Sequence, residues 1–447
     1  MKTRFSQRGT LAVVCLATAM LMLDIAVVNT ALSHIAGDLH SSVSGLQWIV
    51  DAYTLALATI VLTAGSVADR VGRRLVFATG MAVFTVTSLA CALADSIEVL
   101  DAARAVQGIG AAMMFASSLA VLADAFPGAA ERAKAFAVYG ATIGASFAIG
   151  PLVGGALTSG VSWRAVFYVN IPLGIAALVA TFAWVRESKD ATPRRIDWAG
   201  QVTLTGAAVL YGAFLLAEMR AKEPMLPLKF FRRPAFAGAQ AAAFAISASF
   251  FALFLYTTLY LQEILHLSPI ETGLVYLPGT VVIFLVSGAS ASLVNKVGPA
   301  VLVVTGLVLV AAGMALTLII DTSSDWTALM PGLMVACLGT GLFNPAVVAI
   351  ALGSVPENVS GLAAGTNDAF RQGGIAVGVA VFGAIVPASA ALGHGSAADY
   401  ISGMHNAAIV GAVLALAGAI ACSRLFRVGI ATSGRQLASA AIGAKAR

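Results

Sequence analysis

The sequence predicts an all-α polytopic membrane protein built as two six-helix bundles, on three observations. First, the 447 residues are 59% hydrophobic and 11% charged, with mean hydropathy +0.92. A soluble domain carries about 25% charged residues. Second, apolar residues fall in two sets of six stretches, each near the length of about 20 residues that crosses a bilayer. Third, Lys and Arg gather in alternate connections, the pattern that sets orientation in a membrane. A soluble enzyme, a nucleic-acid binder and a disordered chain are excluded by the same composition. The pI near 9.1 follows from basic loops on one membrane face and does not imply nucleic acid as a partner.

The first set of spans lies near 10–33, 47–68, 75–95, 100–123, 134–158 and 163–184. Lys2, Arg4 and Arg8 before the first run resemble the start of a signal peptide, but that run carries Asp24 and leads into further spans. It reads as an uncleaved first helix. The second set lies near 236–261, 272–294, 299–320, 327–352, 362–388 and 403–423. The expected organisation is a bundle over 1–186, a cytoplasmic linker over 187–234, a second bundle over 235–425 and a cytoplasmic tail over 426–447.

With the N-terminus inside, Arg70, Arg73, Arg74, Arg132, Lys134, the linker arginines, Lys296 and the basic tail all fall inside. Arg104 and Arg164 fall outward, and Arg371 lies within a helix. Both termini are therefore expected in the cytoplasm of a multi-pass cell-membrane protein. The linker contains an apolar segment at 198–217. A single crossing there would move Lys222, Arg232, Arg233 and Lys296 outside, so the segment is expected to lie along the inner interface or to form a shallow re-entrant hairpin. The sequence Ala291-Ser-Leu-Val-Asn295-Lys-Val-Gly298 echoes Gly65-Ser-Val-Ala-Asp69-Arg-Val-Gly72. Each follows the second span of its set, as parallel repeats would place it.

Charged groups inside spans are costly and are functional candidates by default. Asp24 lies about halfway along span one. An ionised carboxylate at that depth costs roughly 2.5–3.5 kcal/mol, which either a proton or a cation relieves. A site that holds one or the other is what an exchanger needs; a carboxylate bonded to Asn or Ser for packing is the alternative. Arg104 is either a partner for buried charge or a side chain reaching the outer interface. Asp51 near the outer end of span two either recruits a cation or faces water. Asp368 and Arg371, three residues apart on one helical face, are expected to pair as a gate or structural element. Asn29, Gln262, Asn344 and Asn367 are polar candidates for a cavity lining, and Tyr53, Tyr256, Tyr260 and Phe343 offer aromatic surface. The cysteines Cys15, Cys91, Cys337 and Cys422 have neither metal nor disulfide spacing. No GxxxxGK[ST] is present, so ATP is not the expected energy source.

The loop Gly65-Ser-Val-Ala-Asp69-Arg70-Val-Gly72-Arg73-Arg74 resembles the signature loop of the major facilitator superfamily. Arg104-Ala-Val-Gln107-Gly108 resembles its fourth-helix motif, and Gly150-Pro151-Leu-Val-Gly154-Gly155 its antiporter motif, with Ala137 and Ser146 where glycines are usual. Leu23-Asp24-Ile-Ala-Val-Val-Asn29, Gln47-Trp48-Ile-Val-Asp51-Ala-Tyr53, Tyr256-Thr-Thr-Leu-Tyr260-Leu-Gln262 and Asn367-Asp368-Ala-Phe-Arg371 resemble the drug/proton antiporter branch that usually has fourteen helices. The resemblance implies the major facilitator fold, a cytoplasmic latch at Gly65, Asp69, Arg70, Gly72 and Arg73, and proton coupling through Asp24 and Arg104 with Asp51 nearby. It implies export of small amphipathic molecules, with the proton as coupling ion and no other cofactor. A proton-coupled importer and a non-transporting sensor are the alternatives; an enzyme is not expected. The implied partners are a small-molecule substrate, protons and the lipid bilayer, for a monomer that binds no nucleic acid.

Overall fold

The computed structural model describes residues 6–189, 228–355, 360–391 and 395–445. The apolar segment 198–217 lies outside the described residues. Twelve long helices follow one another in alternating direction among those described. The first six are α1 (Gln7–Asp38), α2 (Val43–Val71), α3 (Arg73–Ala92), α4 (Ile97–Ala125), α5 (Ala129–Gly160) and α6 (Ala165–Trp184). The second six are α7 (Pro234–Ile264), α8 (Pro269–Val297), α9 (Pro299–Leu316), α10 (Met330–Gly353), α11 (Ser360–Ile385) and α12 (Ala397–Lys445). Most run past the spans expected from the sequence, because an apolar run marks only the hydrocarbon core while the helix continues into the polar boundary. Ten candidate spans among the described residues are apolar enough to cross a membrane; α5 and α11, at 32 and 26 residues, are also long enough.

Local chemistry sets the ends. Ser6, Ser42 and Ser96 accept a backbone N–H of the first turn of α1, α2 and α4, each satisfying one orphan donor. Ser268 and Glu271 form a reciprocal capping box at the start of α8. The sequence echo is also a structural one. Gly72 joins α2 to α3 at φ +138°, and Gly298 joins α8 to α9 at φ +88°. They are the two positive-φ glycines among the described residues, so each half makes the same turn at the same place.

In the first half, α1 packs on α5 and α6, α4 on α2 and α3, and α3 on α6. In the second, α10 packs on α8 and α9, α9 on α12, and α7 on α11 and α12. The halves meet where α5 packs against α8 and α2 against α11. The face with the Arg70–Arg74 loop is termed the basic face, and the face with Asp38 and Ser268 the opposite face. One apolar cluster joins Val27, Leu32, Ile35 and Leu46 to Tyr256, Leu259 and Tyr276, so the seam is sealed by packing towards the opposite face.

Both arginines that depart from the charge pattern have carboxylate partners. Arg164 meets Asp38 at 2.5 Å and donates to the Ala94 carbonyl at 3.1 Å, while Trp163 Nε1 donates to the same Asp38 at 2.8 Å. Arg104 turns inward and is only 2% exposed. It therefore does not reach for the interface.

Candidate functional site

Asp24 on α1 and Arg104 on α4 form a buried ion pair, Nη1 to Oδ2 at 2.5 Å, with side chains 0% and 2% exposed. A buried carboxylate needs all its lone pairs served. Gln107 donates to Asp24 Oδ1 at 3.1 Å and Asn170 donates to it at 2.9 Å. Both amides also donate to Ser88 Oγ, at 3.1 and 2.9 Å. Arg104 donates further to Gln107 Oε1 at 2.8 Å and to the Ile49 carbonyl at 3.1 Å. Its guanidinium lies 4.2 Å from the centroid of the Tyr53 ring, a cation–π contact shielded from water. Five helices thus place one carboxylate and one guanidinium in a closed polar network. Ser88 and Asn170 were not anticipated from the sequence. The available signal was a polar side chain inside an apolar span, which also applies to many structural residues.

The glycines of the antiporter-like stretch bring three helices to backbone distance. A Cβ on Gly150 would stand 2.3 Å from Ala26 Cβ, and one on Gly154 2.2 Å from Thr30 Oγ1 and 2.9 Å from Val27 Cα. These two hold α5 against the stretch of α1 beside Asp24. A Cβ on Gly155 would stand 2.3 Å from the Pro269 carbonyl oxygen, and one on Gly273 2.4 Å from the Pro151 carbonyl oxygen. The latter two make the α5–α8 contact between the halves.

At the signature loop, Arg73 bridges back to Asp69 at 2.8 Å across the Gly72 turn. The start of α3 is served by Glu187, just beyond α6. Its carboxylate accepts the Arg74 and Leu75 N–H groups at 3.0 and 3.2 Å, and the Ser188 carbonyl accepts the Arg73 N–H at 2.9 Å. A carboxylate at a helix N-terminus also complements the helix dipole. The partner of the helix end is therefore Glu187, which lies outside the signature loop. Arg70 is exposed. Gly65 is not needed for close approach, since a Cβ there would meet Ala116 at an ordinary 3.9 Å.

The remaining candidates divide. Asp51 is partly buried and its Oδ1 has no hydrogen-bond partner. Gln47, one turn before it, donates to the Tyr256 hydroxyl at 2.8 Å, and that hydroxyl donates to the Val379 carbonyl at 2.8 Å, tying α2, α7 and α11 together. Gln262 donates to the Thr30 carbonyl at 2.9 Å, a second bond between the halves. Asn29 donates to Ile25 within its own helix. Asn367 donates to Gln240 Oε1 at 3.1 Å, and Asn344 Oδ1 is buried without a partner.

Three expectations need correction. Phe343 is fully buried and packs on Gly306 of α9, so it belongs to the core of the second half and does not line a cavity between the halves. Tyr260 is fully buried and stacks on Tyr400, with ring centroids 6.5 Å apart, also within that core. Asp368 and Arg371 form no ion pair. Asp368 Oδ2 lacks a hydrogen-bond partner, and the Arg371 guanidinium lies 5.7 Å from the Phe251 ring centroid. A three-residue spacing puts both on one side of α11, but the long arginine turns to the aromatic of α7.

Residues 14–379 match the Major Facilitator Superfamily. Among similar proteins, the multidrug resistance protein Stp of Mycobacterium tuberculosis (strain ATCC 25618 / H37Rv) is 33% identical over 86% of this chain and 76% of its own. The methylenomycin A resistance protein of Streptomyces coelicolor is 31% identical over 87% of this chain and 88% of its own. The tetracenomycin C resistance and export protein of Streptomyces glaucescens is 33% identical over 84% and 75%. Among solved structures, the human organic anion transporter MFSD10 superposes with TM-score 0.69 at 18% identity, covering 93% of this chain and 99% of that one. A bacterial homologue of the human lysosomal transporter Spinster, solved inward-facing and unoccupied, also gives TM-score 0.69, at 16% identity over 96% and 99%. At these identities the structures speak to the fold alone.

Proposed function

The chain belongs to the major facilitator superfamily of membrane transporters, and from that premise we propose that it exports small amphipathic molecules in exchange for protons. The observation that carries this reading is the closed Asp24–Arg104 network. As it stands, one negative and one positive charge cancel inside the membrane. A proton arriving on Asp24 removes the negative charge and leaves the guanidinium uncompensated among Tyr53, Ser88, Gln107 and Asn170. An uncompensated buried charge costs about 3–5 kcal/mol, so the network must rearrange when the proton binds. Two of its five helices, α1 and α2, also reach the seam, through Thr30 and Gln47. α2 carries Tyr53 with Asp51 two residues and Gln47 six residues before it; α1 is clamped by Gly150 and Gly154 of α5. Proton arrival is thereby converted into movement of one half against the other, the rocking that exposes a central site to alternate faces.

The similarity to resistance and export proteins supports an outward direction and substrates such as drugs, dyes or antibiotics. The basic face, which carries both chain ends in this topology, is assigned to the cytoplasm by the positive-inside rule.

The test is Asp24→Asn in proteoliposomes with an imposed pH gradient. The change is nearly isosteric and removes the titratable group. The variant is expected to insert and to bind substrate, but to release no protons when a cationic dye such as ethidium is added. Normal dye-dependent proton release by this variant would remove Asp24 from the coupling step.

A further inference from the structure

The seam contains a second, unmatched carboxylate. On α11, Gly365 faces Val61 and Leu62 of α2, with an added Cβ meeting them at 3.9 and 3.6 Å. Leu362 and Ala369, on the same side, pack against the core of the first half. Asp368 and Gln372 share this helical side with Gly365. They are 5% and 4% exposed, and Asp368 Oδ2 and Gln372 Oε1 have no hydrogen-bond partner. From the other half come two phenols, Tyr53 of α2 and Tyr139 of α5, both buried with unpartnered hydroxyls and both close enough to Asp368 to interact electrostatically. Four buried polar atoms from three helices therefore lack partners around one carboxylate. Such groups in a folded interior are normally satisfied, and a cluster of exceptions calls for a missing partner.

Charge indicates what that partner is. Asp24 has Arg104 as counter-ion at 2.5 Å. Asp368 has no direct ion-pair partner: Arg371 acts on it only from a distance, with its guanidinium over the Phe251 ring. We infer that Asp368 and Gln372 form a cation-accepting subsite on the second half, facing Tyr53 across the seam, which takes the ammonium or quaternary nitrogen end of a lipophilic cation. This deepens the export reading above and rests on it. Asp24 and Arg104 remain the proton site, and the two carboxylates have separate tasks on the two sides of Tyr53. A permanently charged substrate supplies the direct partner that Asp368 Oδ2 lacks, and its apolar body lies against the aromatic and aliphatic side chains of α2 and α11.

The test is equilibrium binding of ethidium, a monovalent quaternary cation followed by its fluorescence, to the purified protein in nanodiscs. Asp368→Asn should weaken binding by about tenfold to a hundredfold, the range of a charge-assisted contact. Asp368→Glu, which keeps the charge, should stay within a few-fold of the unaltered protein. Unchanged affinity in Asp368→Asn would overturn the subsite and leave the export reading intact. Equal loss in both variants would also overturn it, by showing that Asp368 acts through packing. Absence of saturable ethidium binding to the unaltered protein would overturn the subsite as well. The export reading would fall with it only if reconstituted protein also moves no protons in response to any cationic dye.

Discussion

Three glycines on α5 differ only in what a methyl group would meet, which makes Gly155→Ala a sharp probe of how the halves close. The new Cβ would stand 2.3 Å from the Pro269 carbonyl oxygen, 2.7 Å from Ile270 Cα and 2.7 Å from the Pro269 carbonyl carbon. An ordinary contact is about 3.5 Å, so α5 and α8 must separate by roughly 1 Å. Both obstacles are backbone, so no side chain can turn aside to absorb the difference. Overpacking of this kind costs about 1–3 kcal/mol. If the halves rock apart at the opposite face, this contact is released, so the cost falls on the closed state. At 1.4 kcal/mol per tenfold, the ratio of open to closed opposite face should rise about fivefold to a hundredfold.

The assay is the distance distribution between spin labels at Val161→Cys and Thr322→Cys, on opposite-face loops of the two halves, in a background without the four native cysteines. Gly155→Ala should move population to longer distances. Gly154→Ala meets Thr30 and Val27 of α1 inside the first half; it should lower thermal stability and shift the distances much less than Gly155→Ala. Gly140→Ala, with nothing within 4 Å, should do neither. If Gly155→Ala left the distances unchanged, or Gly154→Ala shifted them equally, the α5–α8 contact would not be the seam that controls closure.

Other perturbations address the network and the basic face. Asn170→Leu removes two donors, to Asp24 and Ser88, and should cost about 1–3 kcal/mol, read as a fall in melting temperature together with loss of dye-driven proton release; an unchanged melting temperature would show that Asn170 is dispensable to the network. Glu187→Gln weakens the anion at the start of α3. With its side chain 30% exposed, the effect should be about 0.5 kcal/mol, seen as roughly twofold faster hydrogen exchange at the Arg74 and Leu75 amides, and protection equal to the unaltered protein would contradict the capping role. If the loop at Asp69 acts as a latch, Asp69→Asn should slow transport while leaving substrate affinity within a few-fold, and a large affinity loss with normal turnover would refute that role.

The sequence was most informative where one residue type has one physical meaning. Long apolar runs marked the twelve long helices among the described residues because little else spans a bilayer. Gly72 and Gly298 marked equivalent turns because their backbone conformation disfavours a side chain. Asp24 and Arg104 stood out because charge inside a span is costly, and they met. Partnership was harder to read. Asn170 and Ser88 complete the network from α6 and α3, and no local pattern tells a polar residue facing Asp24 from one bonding its own helix, as Asn29 does. Asp368 and Arg371 failed as a pair because helical spacing fixes which side a residue occupies and leaves a long side chain free to choose among neighbours. Phe343 and Tyr260 failed because an aromatic in an apolar span packs equally well towards a core or a seam, and the helix neighbours decide.

The placement of Gly154 and Gly155 ties the Asp24–Arg104 network to the seam. They are adjacent, so they point about 100° apart on α5, one to α1 and the other to α8. At Gly155 the neighbour is backbone alone; at Gly154 it is Val27 Cα together with the Thr30 hydroxyl, which is tied to the Val27 carbonyl. Val27, against Gly154, is three residues from Asp24 on α1, less than one helical turn away. If the Asp24–Arg104 network opens and α1 shifts by a fraction of an ångström, α5 cannot accommodate the shift by a rotamer change at Gly154. It moves as a body, and the Gly155–Pro269 contact moves with it. Close-packed interiors transmit such displacements because they have no slack, and two glycines in sequence remove the slack at this junction. Coupling along this route requires that the junction be tight on both sides at once. Gly154→Ala, although confined to the first half, should therefore reduce the proton released per dye exported even in the fraction of protein that remains folded. A stoichiometry unchanged by that substitution would mean that the signal from Asp24 reaches the seam by another path, with Tyr53 and α2 the nearest candidates.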